Sequence, residues 1–471
     1  MTLKFPKLLV IIYCAFLLHS FAEGQTDTKF SISNSTLGST ENRLPFWFWA
    51  NHDGKIKPGE SFLNLTDFDV RTNGFFPNNK NWQFSAGTNW VGALGSESYF
   101  QINQLFGAVD YKGWKLEGGL FSDELQFGGL STSNGNLARS RNARPFPKIR
   151  LSTSDYKPVP GVQNWLSFRF EFDEGFLNDK RYVEHTHLHH KSLYLKVVPE
   201  ERWAIQMGVE HFVMWGGTSR NKEIGKMPNG FKSYLKYITG RSGGGDFPIY
   251  DQENVAGNQY GTYQLKVSKE FEDFTLHFNL SHPFEDYSGI NWRNWRDNLL
   301  GLMIDFDDSE RFFSEILYEF VNTRHQGIVE EFRMNEETGE LERITADDYY
   351  NNVVYRSGAT YHQMAMSSPL FFPIKIEDGI SQGFLSNRFY AHHLGAKGKC
   401  FNNIYWEGLF TYIEHFGKYG AGMHDQEMLL FLGFDYKNPS FPFDIGIRFA
   451  ADQGYNPGNI YGGQITLSKT W

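Results

Sequence analysis

The stretch from Tyr461 to Trp471 reads YGGQITLSKTW, and it alternates strictly. Tyr461, Gly463, Ile465, Leu467, Lys469 and Trp471 share one face, while Gly462, Gln464, Thr466, Ser468 and Thr470 share the other. A period of two with one apolar face is the signature of a β-strand standing between two different environments. Lys469 is the one misfit on the apolar side. It sits close enough to the chain end for its ammonium group to reach a polar boundary while its methylenes stay in apolar surroundings.

The same alternation recurs along the chain. Phe443, Ile445, Ile447 and Phe449 oppose Asp444, Gly446 and Arg448; Trp203, Ile205, Met207 and Val209 oppose Ala204, Gln206 and Gly208. Leu166, Phe168, Phe170 and Phe172 oppose Ser167, Arg169, Glu171 and Asp173, and Phe274, Leu276, Phe278 and Leu280 oppose Thr275, His277 and Asn279. Composition agrees: 17% aromatic residues and 47 glycines coexist with a mean hydropathy of -0.46, so apolar and polar side chains are mixed at short range. No stretch after the first 24 residues is apolar over the length of a membrane helix; Met428 to Phe434 is among the longest runs. A chain that crosses a membrane without such runs must do so as a closed barrel, the other structure that satisfies its backbone in hydrocarbon.

A soluble antiparallel sheet with one wet face would share this pattern. Two features favour the membrane: Trp82, Trp90, Trp114, Tyr194, Trp203 and Tyr412 recur near segment ends as interfacial girdles require, and the terminal strand ends on an aromatic, as in bacterial outer-membrane barrels. The expected fold is therefore all-β, a transmembrane antiparallel β-barrel. At roughly 25 residues per strand and connection it holds about 16–18 strands. Asn438 to Ser440 and Asn456 to Asn459 suit short periplasmic turns, whereas Gly128 to Pro147, Gly216 to Gln259 and His282 to Asn298 suit long extracellular loops. A short helix is expected in the acidic stretch Glu330 to Asp348.

The N-terminus combines Lys4 and Lys7, the apolar run Leu8 to Leu18 and a more polar exit, which reads as a signal peptide over residues 1–24 cut near Ala22 to Gly24. Cys14 has Tyr13 before it and is no lipidation site. Cleavage leaves Cys400 as the one cysteine, so no internal disulfide staples the mature chain. Residues 25–43 form a short Ser/Thr/Asn-rich segment ahead of a barrel spanning 44–471. The net charge of -9 argues against a nucleic-acid partner. The expected location is the cell outer membrane, as a monomer in contact with lipid.

A distributed set of motifs resembles the capsule-assembly outer-membrane protein family, the Wzi-like barrels, in its Bacteroidetes form. The matching residues are Pro45-Phe46-Trp47 with Ala50 to Gly54, Ser140 to Pro147, Leu188 to Leu195, Glu210 to Gly217 and Asn254 to Gly261. Glu285-Asp286 with Asp297 and Gly301, Tyr318-Glu319 to Gln326-Gly327, Asp348 to Asn352 and Asn387 to His393 continue it. The resemblance implies a barrel of about eighteen strands that binds capsular polysaccharide as a lectin, without catalysis. It departs from the family at the N-terminus, where members carry periplasm-closing helices and residues 25–43 are not amphipathic.

On a strand His185, His187 and His189 would share a face, next to His190, but no second ligand set accompanies them, and no metal or other cofactor is expected. Carboxylates such as Glu210, Asp286, Asp297, Glu319, Asp347 and Asp348 would satisfy a glycosidase only as a facing pair. In a barrel lumen they pair instead with arginines, for which Arg141, Arg144, Arg293, Arg296 and Arg388 are available. No Gly-x-Ser-x-Gly elbow is present, and Gly243 to Gly245 lacks the Lys-Ser/Thr of a phosphate loop. No catalytic residue is assigned. For sugar binding, aromatic faces flanked by planar polar groups are wanted, and Asn291 to Asp297 supplies Trp292, Arg293, Trp295, Arg296 and Asp297 within one loop. Arg141, Arg144 and Trp215 complete the candidate polysaccharide contacts. The rival readings are an outer-membrane channel for small solutes and an exported soluble all-β polysaccharide enzyme.

Overall fold

The computed structural model describes residues 26–471 except 78, 163–164, 286, 328–331, 335–340, 344–346, 420–421 and 455–457. The expected signal peptide, Cys14, Asp286, Asn456 and Pro457 lie outside the described residues.

Eighteen strands form one closed antiparallel barrel. In chain order they are β1 (Thr26–Ser39), β2 (Phe62–Phe76), β3 (Asn79–Gly95), β4 (Tyr99–Tyr111), β5 (Trp114–Leu120) and β6 (Pro147–Thr153). Then come β7 (Leu166–Phe176), β8 (His187–Val197), β9 (Trp203–Trp215), β10 (Asn258–Glu270), β11 (Phe274–Phe284) and β12 (Asn298–Phe306). The ring ends with β13 (Glu315–Asn322), β14 (Phe389–Phe401), β15 (Ile404–His415), β16 (Asp425–Tyr436), β17 (Asp444–Gly454) and β18 (Ile460–Thr470). Each strand pairs with its predecessor, and β1 also pairs with β18 from Ser31↔Thr470 to Ser39↔Gly462, which closes the ring. Closure removes every free edge and satisfies the backbone without water.

The closing strand corrects one reading. The segment 25–43, taken from its Ser/Thr/Asn content as lying ahead of the barrel, is mostly β1. Its alternation is muted because only Phe30 and Ile32 are large on the outward face, while Ser35 turns inward to Thr466 at 2.8 Å. Backbone pairing on both sides compensates for what its side chains lack. The barrel therefore starts at residue 26, and residues 44–61 are a connection rather than wall.

Antiparallel connections alternate between the two ends. Both termini share an end with Lys112-Gly113, 198–202, 271–273, 402–403 and 437–443, the last containing Asn438 to Ser440. The other end carries 40–61, 121–146, 177–186, 216–257, 285–297 and 323–388, which includes every long loop expected from the sequence. The same parity moves Gly458-Asn459, expected as a short-turn-end connection, to the long-loop end. In the acidic stretch Glu330 to Asp348, Phe332–Met334 and Leu341–Arg343 pair as short antiparallel strands where a helix was expected. No helix among the described residues is long and apolar enough to cross a membrane.

Outward residues such as Leu193, Met207, Phe449, Ile465 and Leu467 are exposed, as a lipid-facing belt requires. Trp82, Tyr111 and Trp114 ring the short-turn end, with Trp82 and Tyr111 4.6 Å apart. Tyr194, grouped with that girdle from sequence, points inward instead and donates to Glu210.

The long-loop half of the lumen is filled. Loop 40–61 carries the single-turn helix α1 (Phe46–Trp49), whose Phe46, Trp47 and Phe48 are buried. Loop 121–146 and residues 347–388 enter beside it. Leu130, Leu137, Tyr350, Tyr355, Leu370 and Phe371 pack against inward Leu188, Phe212, Tyr260, Leu317, Val321 and Ile413. An apolar core thus sits inside the barrel at the long-loop half.

Candidate functional site

Wall side chains hold the plug. Inward Glu319 of β13 accepts from Ser131 Oγ at 2.6 Å, from the Thr132 amide at 2.8 Å and from Thr132 Oγ1 at 2.7 Å. Asp452 of β17 accepts the Phe46 amide at 2.9 Å, which fixes the start of α1. His393 of β14 meets the Leu130 carbonyl at 2.7 Å, and Asn279 of β11 donates to the Gly135 carbonyl at 3.0 Å. The two long inserts also hold each other, since Ser368 donates to Leu137 and Ser140 donates to Met366, each at 3.0 Å. Buried backbone that leaves regular structure must find such partners.

Between this plug and the short-turn end lies a polar cavity of about 770 Å³. Its lining includes Arg71, Lys115, Glu117, Arg169, Tyr194, Gln206, Gln264 and Lys266. At its upper wall a charge network is completed by the plug. Arg139 donates to Asp123 at 2.6 Å and to Glu171 at 2.9 Å, and it lies 3.6 Å from Glu210. Arg150 grips Asp173 bidentately at 2.7 and 2.6 Å. The expectation that lumen carboxylates pair with arginines holds, but the partners are Arg139 and Arg150.

Glu171, Asp173 and His190 bring potential ligand atoms within 4.8 Å of one another. This donor set does not fit a cation, because Arg139 and Arg150 already occupy both carboxylates and would repel one. The histidines singled out from sequence do not converge either. His187 stacks on Trp215 at 4.5 Å and His189 reaches Glu174 at 3.1 Å on the outward face, while His190 points inward.

The candidate polysaccharide contacts fall into separate places. Trp292, Arg293, Trp295 and Arg296 are exposed at the long-loop end. Trp292 lies flat on the outside of the wall, 4.1 Å from the His282 ring and 5.4 Å from Tyr263. Arg296 covers Trp295 at 5.4 Å. Asp297 is buried and accepts the His325 amide at 2.9 Å, the Gln326 amide at 2.6 Å and the Tyr349 hydroxyl at 2.9 Å. Burial pushes its carboxyl up to about 6, against the pull of those donors. All three donors belong to loop 323–388, so Asp297 secures the plug and has no oxygen facing solvent for a glycan.

Arg141 is committed to Asp53, its Nε donating at 3.1 Å across two plug loops. Arg144 donates to the Ile102 carbonyl at 3.1 Å, and burial lowers its pKa. Trp215 is buried on the outward side of β9 and donates to Glu174 at 3.0 Å.

Sequence reasoning missed a second set at the rim. Arg324 lies 4.4 Å from the Phe416 ring and 5.7 Å from Tyr390, and Arg388 lies 3.8 Å from the Tyr419 ring. It adjoins the Trp295 loop, because Asn322 donates to the Arg296 carbonyl at 2.8 Å. Stacked guanidinium and aromatic planes offer both hydrogen-bond donors and flat apolar faces. These residues are up to about a hundred positions apart, so no local motif announced them.

A family model described as "Capsule assembly protein Wzi" matches residues 21–371. None of the curated proteins matches the chain. Among solved structures, the chain is similar to Wzi of Escherichia coli, described as an outer membrane protein involved in group 1 capsule assembly and a carbohydrate-binding β-barrel. The identity is 12%, covering 99% of this chain and 89% of that one, with a TM-score of 0.58. It is also similar to Pseudomonas aeruginosa OpdL (10% identity, 95% and 99% covered, TM-score 0.49). Acinetobacter baumannii OccAB2 follows (8% identity, 95% and 98% covered, TM-score 0.49).

Proposed function

The chain belongs to the capsule assembly protein Wzi family, and on that premise we propose that it binds and anchors capsular or other surface polysaccharide at the outer membrane without chemical turnover. The observation that carries this reading is the filled lumen. Residues 40–61, 121–146 and 347–388 lay an apolar core across the long-loop half of the barrel, so the fold is spent on a rigid platform rather than on a conduit. Its long-loop end faces outward from the cell, as in outer-membrane barrels generally.

Glycan contact is assigned to the rim, where Trp295 with Arg293 and Arg296 adjoins the Arg324–Phe416 and Arg388–Tyr419 pairs. Trp292 borders this patch at the lipid boundary. Arg141, Arg144 and Trp215 support it indirectly, by holding the plug and the outer loop in place.

The test has two arms. Planar bilayers containing the purified protein should carry little steady current; a persistent ohmic conductance would favour the small-solute channel. Cells lacking the gene should shed capsule into the medium, where the released polysaccharide can be identified. If Trp292→Ala with Trp295→Ala leaves capsule retention unchanged, the rim assignment fails.

A further inference from the structure

Loop 216–257 divides: Met227 belongs to the lumenal core, whereas Tyr237, Phe247 and Ala256 form a separate cluster with Val213 and Trp215. Inward Phe212 and Met214 of β9 belong to the lumenal core, so Val213 and Trp215, which alternate with them, point outward, as do His187 and His189 of β8. Lipid does not cover these side chains. The helix α2 (Phe231–Ile238) lies over them, with Tyr234 5.0 Å and Tyr237 5.8 Å from Trp215, and Phe247 5.3 Å from Tyr237. Tyr234 donates to outward Glu174 at 3.1 Å, and Lys191 of β8 donates to the Ile238 carbonyl at the helix end. α2 is thus fastened to the outer surface of the barrel.

Among the described residues, no partner covers the apolar side chains of its other face. Phe231 is 74% exposed, Leu235 42%, and in the following turn Ile249 is 72% and Tyr250 50% exposed. A cluster of large apolar side chains on a docked loop marks an interaction surface rather than a water-facing one. The cluster borders the lipid belt: Leu193 and Met207, on the same outward faces of β8 and β9, are exposed. Four residues separate Leu193 from His189, roughly 13 Å along a strand and about 10 Å of height at barrel tilt. That places α2 at headgroup level in the leaflet of the long-loop end. Charge points the same way. From Phe231 to Arg241 the sequence carries Lys232, Lys236 and Arg241 and no carboxylate, in a chain of net charge -9; of the carboxylates that follow, Asp246 lies beside Lys236 near Gly244, Asp251 is buried and Glu253 is exposed.

We propose that α2 and the turn at Ile249-Tyr250 form a foot in the outer leaflet, whose Lys232, Lys236 and Arg241 bind the phosphate groups of its lipid while Phe231, Leu235 and Ile249 enter its acyl layer. An amphipathic, cation-bearing helix lying in an interface has this design. The inference rests on the outer-membrane placement and is independent of the glycan assignment at the rim.

The full-length protein in detergent is titrated with bis-phosphorylated lipid A and with its phosphatase-treated form, and bound lipid is counted by native mass spectrometry. Wild type should retain the phosphorylated form in preference. Lys232→Glu, Lys236→Glu and Arg241→Glu should each lower that retention about 5-fold, from the ~1 kcal/mol typical of one surface cation near anionic lipid. Phe231→Ser with Ile249→Ser should weaken both forms alike. All these side chains lie on the surface, and an unchanged unfolding temperature checks that the barrel is intact. Equal retention of the two lipid forms, wild-type retention by the charge variants, or capture of a protein at the foot with no effect on lipid would each overturn the proposal.

Discussion

Removing the Glu319 carboxylate should loosen the plug by a calculable amount. Glu319 accepts three hydrogen bonds from Ser131 and Thr132, all inside the barrel. A bond to a charged group contributes ~1.5–3 kcal/mol, so three set a ceiling near 9 kcal/mol. The carboxylate's own burial cost disappears with it, and neighbouring anchors at Asn279 and His393 remain. The net loss for Glu319→Ala is therefore about 4 kcal/mol, the range found when one partner of a buried charged contact is deleted. At ~1.4 kcal/mol per decade this is roughly a thousandfold rise in the open population of the loop. Amide hydrogen exchange over Ser131 to Leu137 reads that population directly. Protection at Thr132 should fall by about three decades, and planar bilayers should show brief current steps absent from wild type. Glu319→Gln should fall between the two, because its amide keeps one acceptor but turns a donor toward donors. If exchange at Thr132 changes less than tenfold and the bilayers stay silent, Glu319 does not hold the plug.

Three further outcomes follow from other contacts. Arg139→Ala removes the guanidinium that touches Asp123, Glu171 and Glu210 together, leaving Arg150 beside Asp123 and Arg169 beside Glu171, and chemical unfolding should show a loss of about 3 kcal/mol; an unchanged midpoint would refute the network. Gly128 adopts φ +60°, and a Cβ there would lie 1.8 Å from Glu315 Oε2 and 2.5 Å from Lys397 Nζ. Gly128→Ala should thus cost ~2 kcal/mol and lower the unfolding temperature, through strain and overpacking together. Burial pushes the Asp251 carboxyl in loop 216–257 up to about 6, although the Gly257 amide pulls it down. The docked loop then binds that proton more tightly than the unfolded loop does, so docking is strongest below pH ~4, weakens as pH rises to about 6 and is level above. That difference in proton affinity corresponds to ~3 kcal/mol. Proteolysis of the loop should be faster at pH 7 than at pH 4.5 with a pH-tolerant protease, and Asp251→Asn should remove the difference; equal rates in wild type would count against it.

The barrel was legible in the sequence because the membrane imposes a local rule. Every strand that meets lipid must alternate, and every backbone group must pair, so Trp203 to Val209, Phe443 to Phe449 and Tyr461 to Trp471 each carry the signal alone. Even the exception is local in origin: β1 escaped notice because Phe30 and Ile32 are its only large outward residues. What fills the ring obeys no such rule. The bonds that hold the plug, Glu319 to Thr132, Asp452 to Phe46 and Arg141 to Asp53, join residues 187, 406 and 88 positions apart. A side chain's type does not announce a partner at that distance. The same limit governs the candidate site. Trp215, Trp292 and Asp297 read alike in sequence as polar-aromatic recognition residues, but the fold buries one under a helix, lays one against the wall and locks one to a loop. Strand register turned Trp215 outward, while contacts from distant loop and strand residues fixed Trp292 and Asp297.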